Sequence, residues 1–259
     1  MSKRFVVDLL DRGPRASKRR LQMSVAHSQM LYAAPVWSRV IQNQKLLRKL
    51  SGVQRKINIR ICSAYRTIST EAAGIIAGVP PIGLLIEERK NKYEGIDGKE
   101  ARANLMSRWD DDWRNGQNGR WTYQLIPGVQ AWIDRPYGEV DYFLTQALSG
   151  HGCFRKYLYD RRRAETDACE QCGVQDDAEH TLFQCSRWNI IREDYAQHTG
   201  RQFNIANLGA DLITSEERWK SPYKLQCGGR FTTVVCTKRR ISLKKGRDSV
   251  HRVLRSSVV

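Results

Sequence analysis

The chain has no unbroken apolar run near the roughly 18 to 20 residues that a bilayer-spanning helix needs, so no membrane association is expected. Its start, MSKRFVVDLL, is basic but carries too short an apolar stretch for a secretory signal and has no small-residue cleavage site. Cysteine is sparse and odd in number, 7 in 259 residues, which excludes a framework in which every thiol is paired within the chain. These absences lead to the expectation of an intracellular protein with reduced thiols. Acid is scarce at both ends. Residues 1–66 hold 15 Lys and Arg against Asp8 and Asp11, and residues 220–259 hold 11 against Asp248 alone. The middle is mildly acidic, and the whole carries a formal charge of +17. Mean hydropathy is low, −0.58, yet 41% hydrophobic residues and 7 tryptophans are enough for a packed core.

Two basic ends suit a polyanion, because each phosphate neutralised by Lys or Arg releases counterions. At the first end the charge lies on a periodic pattern. In KLLRKLSGVQRKINIRIC, Leu46, Leu50, Val53, Ile57 and Ile61 fall within an arc of roughly 80° on a helix. Lys45, Lys49, Lys56 and Arg60 occupy an adjoining arc of about 60°, which Arg48 and Arg55 extend. The expectation is a helix that packs on one face and offers phosphate its neighbour. Ile59 breaks the pattern, and Gly52 weakens the helix by roughly 1 kcal/mol.

Residues 17–64 read as helical with an interruption near Pro35. A short helix follows, capped by Ser69 or Thr70, favoured by Glu71 in its first turn and ended by Gly78. Ile82 to about Trp113 reads as a long helix with a break at EGIDG, then a polar loop, RNGQNG. Aromatic residues thicken after Trp121, and Tyr142 to Leu148 read as a helix closed by Gly150. FTTVVCTKRR has strand character, and the basic end beyond about Asn207 reads as weakly ordered. The expected fold class is mainly α: a helical region over 1–113, a linker and small metal-stapled module over 114–206, and a basic tail over 207–259.

The metal expectation rests on ACEQCGVQDDAEHTLFQC, whose spacing is C-x2-C-x7-H-x4-C: Cys169, Cys172, His180 and Cys185. Four Cys and His ligands fit tetrahedral Zn2+, and C-x2-C is a usual first half of such a site. Gly173 eases the bend after Cys172. His180 and Cys185 are five apart, about 140° on an ideal helix, so one is expected before a helix begins or the other past its end. Asp176, Asp177 and Glu179 are candidate acceptors for the imidazole N–H. Three other uses remain open: a redox pair, which wants a βαβ context; a cluster of buried thiols; and a catalytic zinc, which keeps one position for water. A structural zinc contributes on the order of 10 kcal/mol to folding. His151 and Cys153 are read as packed residues, and Cys62, Cys227 and Cys236 as ordinary ones.

Four segments, DRGPRASKRRLQMSVAHSQMLYAAPVW, RICSAYRTISTEAAGIIAGVPPI, GHGCFRKYLYDR and CEQCGVQDDAEHTLFQCSRW, resemble in order the region downstream of the polymerase palm in non-LTR retrotransposon Pol proteins, above all those of insect type-1 retrotransposable elements. The resemblance runs from about Asp11 to Trp188. It implies a reverse-transcriptase thumb, a helical linker and a zinc module whose ligands are Cys169, Cys172, His180 and Cys185. It also implies nucleic-acid partners (RNA template, target DNA) and a nuclear location. The family's polymerase centre is an aromatic-x-Asp-Asp hairpin that holds two metals. The only aspartate pairs here, in RWDDDWRN and VQDDAEH, lack that setting, so no catalytic residue and no small-molecule substrate are assigned. The expectation is a C-terminal, nucleic-acid-binding part of an RNA-directed DNA polymerase, with a zinc-stapled protein-interaction module as the alternative.

Overall fold

The computed structural model describes residues 15–214, Glu216 and Trp219. The tail expected to be weakly ordered from about Asn207 begins instead inside a helix, Ile205–Thr214, which buries Leu208 and Leu212. Apart from Glu216 and Trp219 the rest of it, with the candidate strand in FTTVVCTKRR, Cys227 and Cys236, lies outside the described residues. The described chain is mainly α, as the periodicity predicts, and contains no strand, only one isolated antiparallel bridge between Ala168 and Gln175. It divides between Ser149 and Gly150 into two compact units.

The first unit holds nine α-helices among the described residues, α1 (Ala16–Met30), α2 (Ala34–Trp37), α3 (Gln44–Cys62), α4 (Thr70–Ala77), α5 (Ile82–Tyr93), α6 (Gly98–Asn115), α7 (Arg120–Leu125), α8 (Val129–Asp134) and α9 (Tyr142–Ser149), with a 3-10 turn (Ser38–Gln42) between α2 and α3. The short α4 is its centre, with Ala72 to Ala77 all buried. Ser69 caps it, its hydroxyl accepting from the amide of Ala72 at 3.1 Å, and Gly78 ends it in the left-handed region at φ +65°. The break expected at EGIDG is real: Gly95 takes φ +96°, and Asp97 restarts the helix by accepting from Lys99 and Glu100. Gly119, at φ +69°, has no room for a Cβ, which would lie 3.0 Å from Trp113 and Ala72.

The long helix α3 joins two apolar clusters. Leu47 and Leu50 pack with Leu31, Ala34, Ile82 and Ile86, while Ile57 and Ile61 pack with Ala77, Met23 and Ala26. Leu46 and Val53, assigned to the packed face on hydrophobicity, are 44% and 47% exposed. Gln54 takes the buried place instead. Its amide donates to the carbonyl of Pro80 and accepts from the amide of Ile82, both at 2.8 Å, closing the turn between α4 and α5. The buried stripe, through Leu47, Leu50, Gln54, Ile57, Asn58 and Ile61, is thus rotated by about 50° from the apolar set alone.

Some of the first unit's positive charge is structural. Arg19 donates to the carbonyls of Ile61 and Val140, and Arg20 to that of Ala77, so both close the ends of other helices. Burial lowers the Arg20 pKa from its usual value, against the raising effect of Glu139.

The second unit contains α10 (Arg155–Asp160), a knuckle around Cys169–Val174, a π turn (His180–Gln184), a 3-10 turn (Ser186–Trp188), α11 (Asn189–Thr199) and α12 (Ile205–Thr214). Its core includes Leu182, Phe203, Leu208, Leu212 and Tyr195. The Tyr195 hydroxyl donates to Asp211, which also pairs with Arg201 at 3.0 Å. Among the described residues no single helix is long and apolar enough to cross a membrane.

Candidate metal centre and nucleic-acid interface

The knuckle is built by its backbone. Cys169 donates to Val174 at 2.7 Å and Gly173 donates back to Cys169 at 2.9 Å, with Gly173 at φ +73°. This tight turn turns Cys169 and Cys172 to the same side. The other two residues come from the π turn, in which the amide of Cys185 donates to the carbonyl of His180 at 2.7 Å. Cys185 sits just past the turn as its C-cap, with φ −59° and ψ 122°. Both the widened turn and the cap position bring together residues that a regular helix would hold about 140° apart.

The ligand atoms of Cys169, Cys172, His180 and Cys185 all lie within 4.8 Å of one another. Sγ of Cys185 is 3.7 Å from that of Cys169 and 3.8 Å from that of Cys172. A tetrahedral ion with metal–sulfur bonds of about 2.3 Å spaces its sulfurs by about 3.8 Å, so these separations fit. His180 is 5% exposed, and its Nε2 is buried without a hydrogen-bond partner. A buried orphan nitrogen beside three thiols has the chemistry of a ligand. No other such group occurs among the described residues. His151 instead stacks on Tyr157 at 5.0 Å, and Cys153 stands outside the group.

Without an ion the thiols are unequal. Burial pushes Cys185 up to about 11, whereas hydrogen bonds from the Ser186 side chain and backbone lower Cys172. Cys169, Cys172 and Cys185 could hold a divalent cation, which would stabilise their thiolates together.

Several supporting residues carried no spacing signal. Arg192 donates to the carbonyls of Leu182 and Cys185, tying α11 to the π turn. Ser186 lies 3.5 Å from the Cys172 sulfur. The acids near the histidine serve the backbone: Asp177 accepts from the His180 amide at 2.8 Å. Fully buried Asp176 accepts from the Thr181 hydroxyl at 2.5 Å and from the Arg155 amide at 3.1 Å. It fastens α10 to the metal loop.

On α3, the six basic residues divide. Lys45, Arg48, Lys49, Lys56 and Arg60 are exposed. Arg55 is half-buried and donates to the carbonyls of Arg66 (2.5 Å) and Ile68 (2.6 Å), so it holds the loop after α3. Because the buried stripe runs through Gln54, the exposed cations lie nearly opposite it rather than beside it. The aspartates of RWDDDWRN are helical, within α6, where Asp110 accepts from the Val129 amide at 3.0 Å and pairs with Arg114 at 2.7 Å.

No family model matches the chain. No solved structure matches it either. Curated proteins do. Over 194 residues, 66% of this chain, it is 28% identical to the Retrovirus-related Pol polyprotein from type-1 retrotransposable element R1 4 of Nasonia vitripennis, covering 49% of that protein. The chain resembles type-1 retrotransposon Pol polyproteins. The same resemblance extends to the element R1 polyprotein of Bradysia coprophila, 27% identical over 188 residues, which are 63% of this chain and 19% of that one. A further Nasonia vitripennis Pol polyprotein, from element R1 2, is 26% identical over 189 residues and is covered to 46%. The chain therefore spans about half the length, or less, of these Pol relatives.

Proposed function

We propose that this chain is a nucleic-acid-binding portion of a retrotransposon Pol protein, in which α3 grips a sugar–phosphate backbone and a structural zinc staples the second unit. The observation that carries the reading is the exposed row of Lys45, Lys49, Lys56 and Arg60, extended by Arg48, on the side of α3 opposite its packed stripe. Across these helical turns there is no acid to neutralise it. Such a face recognises backbone charge and does not read sequence. The similarity to Pol polyproteins supports nucleic acid as the partner in general; that this is RNA template, template–primer duplex or target DNA, met in the nucleus, is part of the proposal.

Zinc is proposed from the donor set and its spacing. Three sulfurs and one imidazole close a tetrahedron, which leaves no position for water and makes the role structural. The ion would be held by Cys169, Cys172, His180 and Cys185, and it would supply folding energy to a unit with a small core.

The test is a fluorescence-anisotropy titration of the full chain against nucleic acid over a range of salt. Binding that weakens log-linearly with salt supports the reading. Binding absent at low salt removes it and leaves the protein-docking alternative.

A further inference from the structure

Gly52 sits midway along α3, 4 residues from Lys56 and 3 from Lys49, on the exposed side. Its backbone is ordinary helix: it is not among the glycines of positive φ. Nothing lies within 4 Å of the place a Cβ would occupy. Several other glycines of this unit have internal reasons, and of those that have none Gly52 is the one in the interior of a helix. A Cβ on Gly74 would meet the Val79 carbonyl oxygen at 3.2 Å, and Gly78 and Gly119 need positive φ. Gly52 has neither reason, yet a glycine inside a helix costs stability relative to alanine.

Its surroundings are charged and open. On the helical wheel Gly52 falls within the same arc of about 80° as Lys45, Lys49, Lys56 and Arg60. The missing side chain makes a notch at the centre of the cationic row, with one pair of cations on each side. Lys49 and Lys56 are separated along the axis by about 10.5 Å at the usual helical rise. Leu46 and Val53, 44% and 47% exposed, border the same face. They offer apolar contact without burial in the protein's own core. No aromatic residue occurs in α3. Single strands are held largely by stacking bases on aromatic rings, whereas a duplex keeps its bases stacked on one another and can be held by its phosphates alone.

We propose that Gly52 is the point of closest approach between α3 and the sugar–phosphate backbone of a nucleic-acid duplex, which crosses the helix in this notch between Lys49 and Lys56. The inference rests on the nucleic-acid reading of α3 and assigns the glycine a positioning role within it. A side chain at position 52 would lift the backbone off the helix and lengthen every flanking contact.

The experiment compares the full chain with Gly52→Ala, Gly52→Gln and the pair Lys49→Ala/Lys56→Ala, by thermal melting and by anisotropy with a labelled mixed-sequence RNA–DNA duplex and its single strands. Gly52→Ala is expected to raise the melting temperature, because alanine is the better helix former. It is expected to weaken duplex binding at least about fivefold with the salt slope unchanged, since no charge is lost. Gly52→Gln should weaken it further. The lysine pair should weaken binding and flatten the slope. If the lysine pair acts but Gly52→Ala binds the duplex as tightly as the parent, the close approach is overturned while the basic face stands. If the lysine pair changes nothing, the reading of α3 itself falls. A fall in melting temperature for Gly52→Ala, or a loss confined to single strands, also overturns the proposal.

Discussion

The amide of Cys185 donates to the carbonyl of His180 at 2.7 Å, a bond that spans five residues where a regular helix spans four. That single widened turn lets an i,i+5 pair present sulfur and imidazole to one point. It also explains why the candidate centre was legible from spacing in its ligands but not in its geometry. C-x2-C-x7-H-x4-C names four residues, and nothing in the letters HTLFQ announces a π turn.

The first prediction follows from this arrangement. The purified chain is expected to hold one zinc ion, and Cys185→Ser or His180→Ala to abolish it, whereas Cys62→Ser leaves it. Cys62 donates to the Asn58 carbonyl at 3.1 Å, and burial raises its thiol to about 12, so it stays protonated. Chelation should remove on the order of 10 kcal/mol from the second unit. Hydrogen exchange checks this: amides of residues 155–199 lose protection while those of 44–93 keep it.

A second prediction separates burial from hydrophobicity on α3. Gln54→Leu leaves the Pro80 carbonyl and the Ile82 amide unpaired in the core and is expected to cost at least about 2 kcal/mol. Val53→Ser, one residue earlier and apolar in the parent, should change stability by no more than about 0.5 kcal/mol. Urea denaturation followed by circular dichroism measures both. Equal effects would mean that Val53, not Gln54, faces the core.

The same pair shows where sequence reading stops. The helices of residues 17–113 and 142–148, a cap at Ser69 or Thr70, the Gly78 stop and the break before Asp97 are local chemistry, written within a few residues, and were legible, whereas the helix Ile205–Thr214 was not. The orientation of α3 was not. It depends on a polar side chain whose partners, Pro80 and Ile82, lie 26 and 28 residues away. Asp176 likewise reads as an acceptor for a nearby histidine, but it serves Thr181 and Arg155, the latter 21 residues away. Long-range satisfaction of buried polar groups leaves no periodic trace.

Acid is expected to weaken both units through neutral histidines. Burial lowers the pKa of His27 in the first unit, and burial together with the Arg161 charge lowers that of His151 in the second. The unfolded chain therefore binds these protons first as pH falls. Stability is full above the unfolded value of about 6.5 and declines as pH drops through the lower folded values. Urea midpoints taken between about pH 7.5 and 5 should fall, and His27→Gln should flatten the decline for the first unit.

Arg55 and Lys56 are neighbours in the chain with opposite assignments. The guanidinium of Arg55 is engaged by the Arg66 and Ile68 carbonyls, whereas Lys56 is exposed on the cationic row. Lys56→Ala should leave the denaturation midpoint nearly unchanged and reduce the salt slope of duplex binding by about 0.9, the value for one lost phosphate contact. Arg55→Ala should do the reverse, costing about 1 to 2 kcal/mol of stability through the freed carbonyls, with the slope intact. Both carbonyls accept from one nitrogen, Nη2, at the end of a side chain longer than that of lysine, so Arg55→Lys keeps the charge but falls short of them and should behave like the alanine variant in stability. Were Arg55→Ala to flatten the slope as much as Lys56→Ala, the guanidinium would be a phosphate ligand, and the division of α3 into a clamp and a grip would be lost.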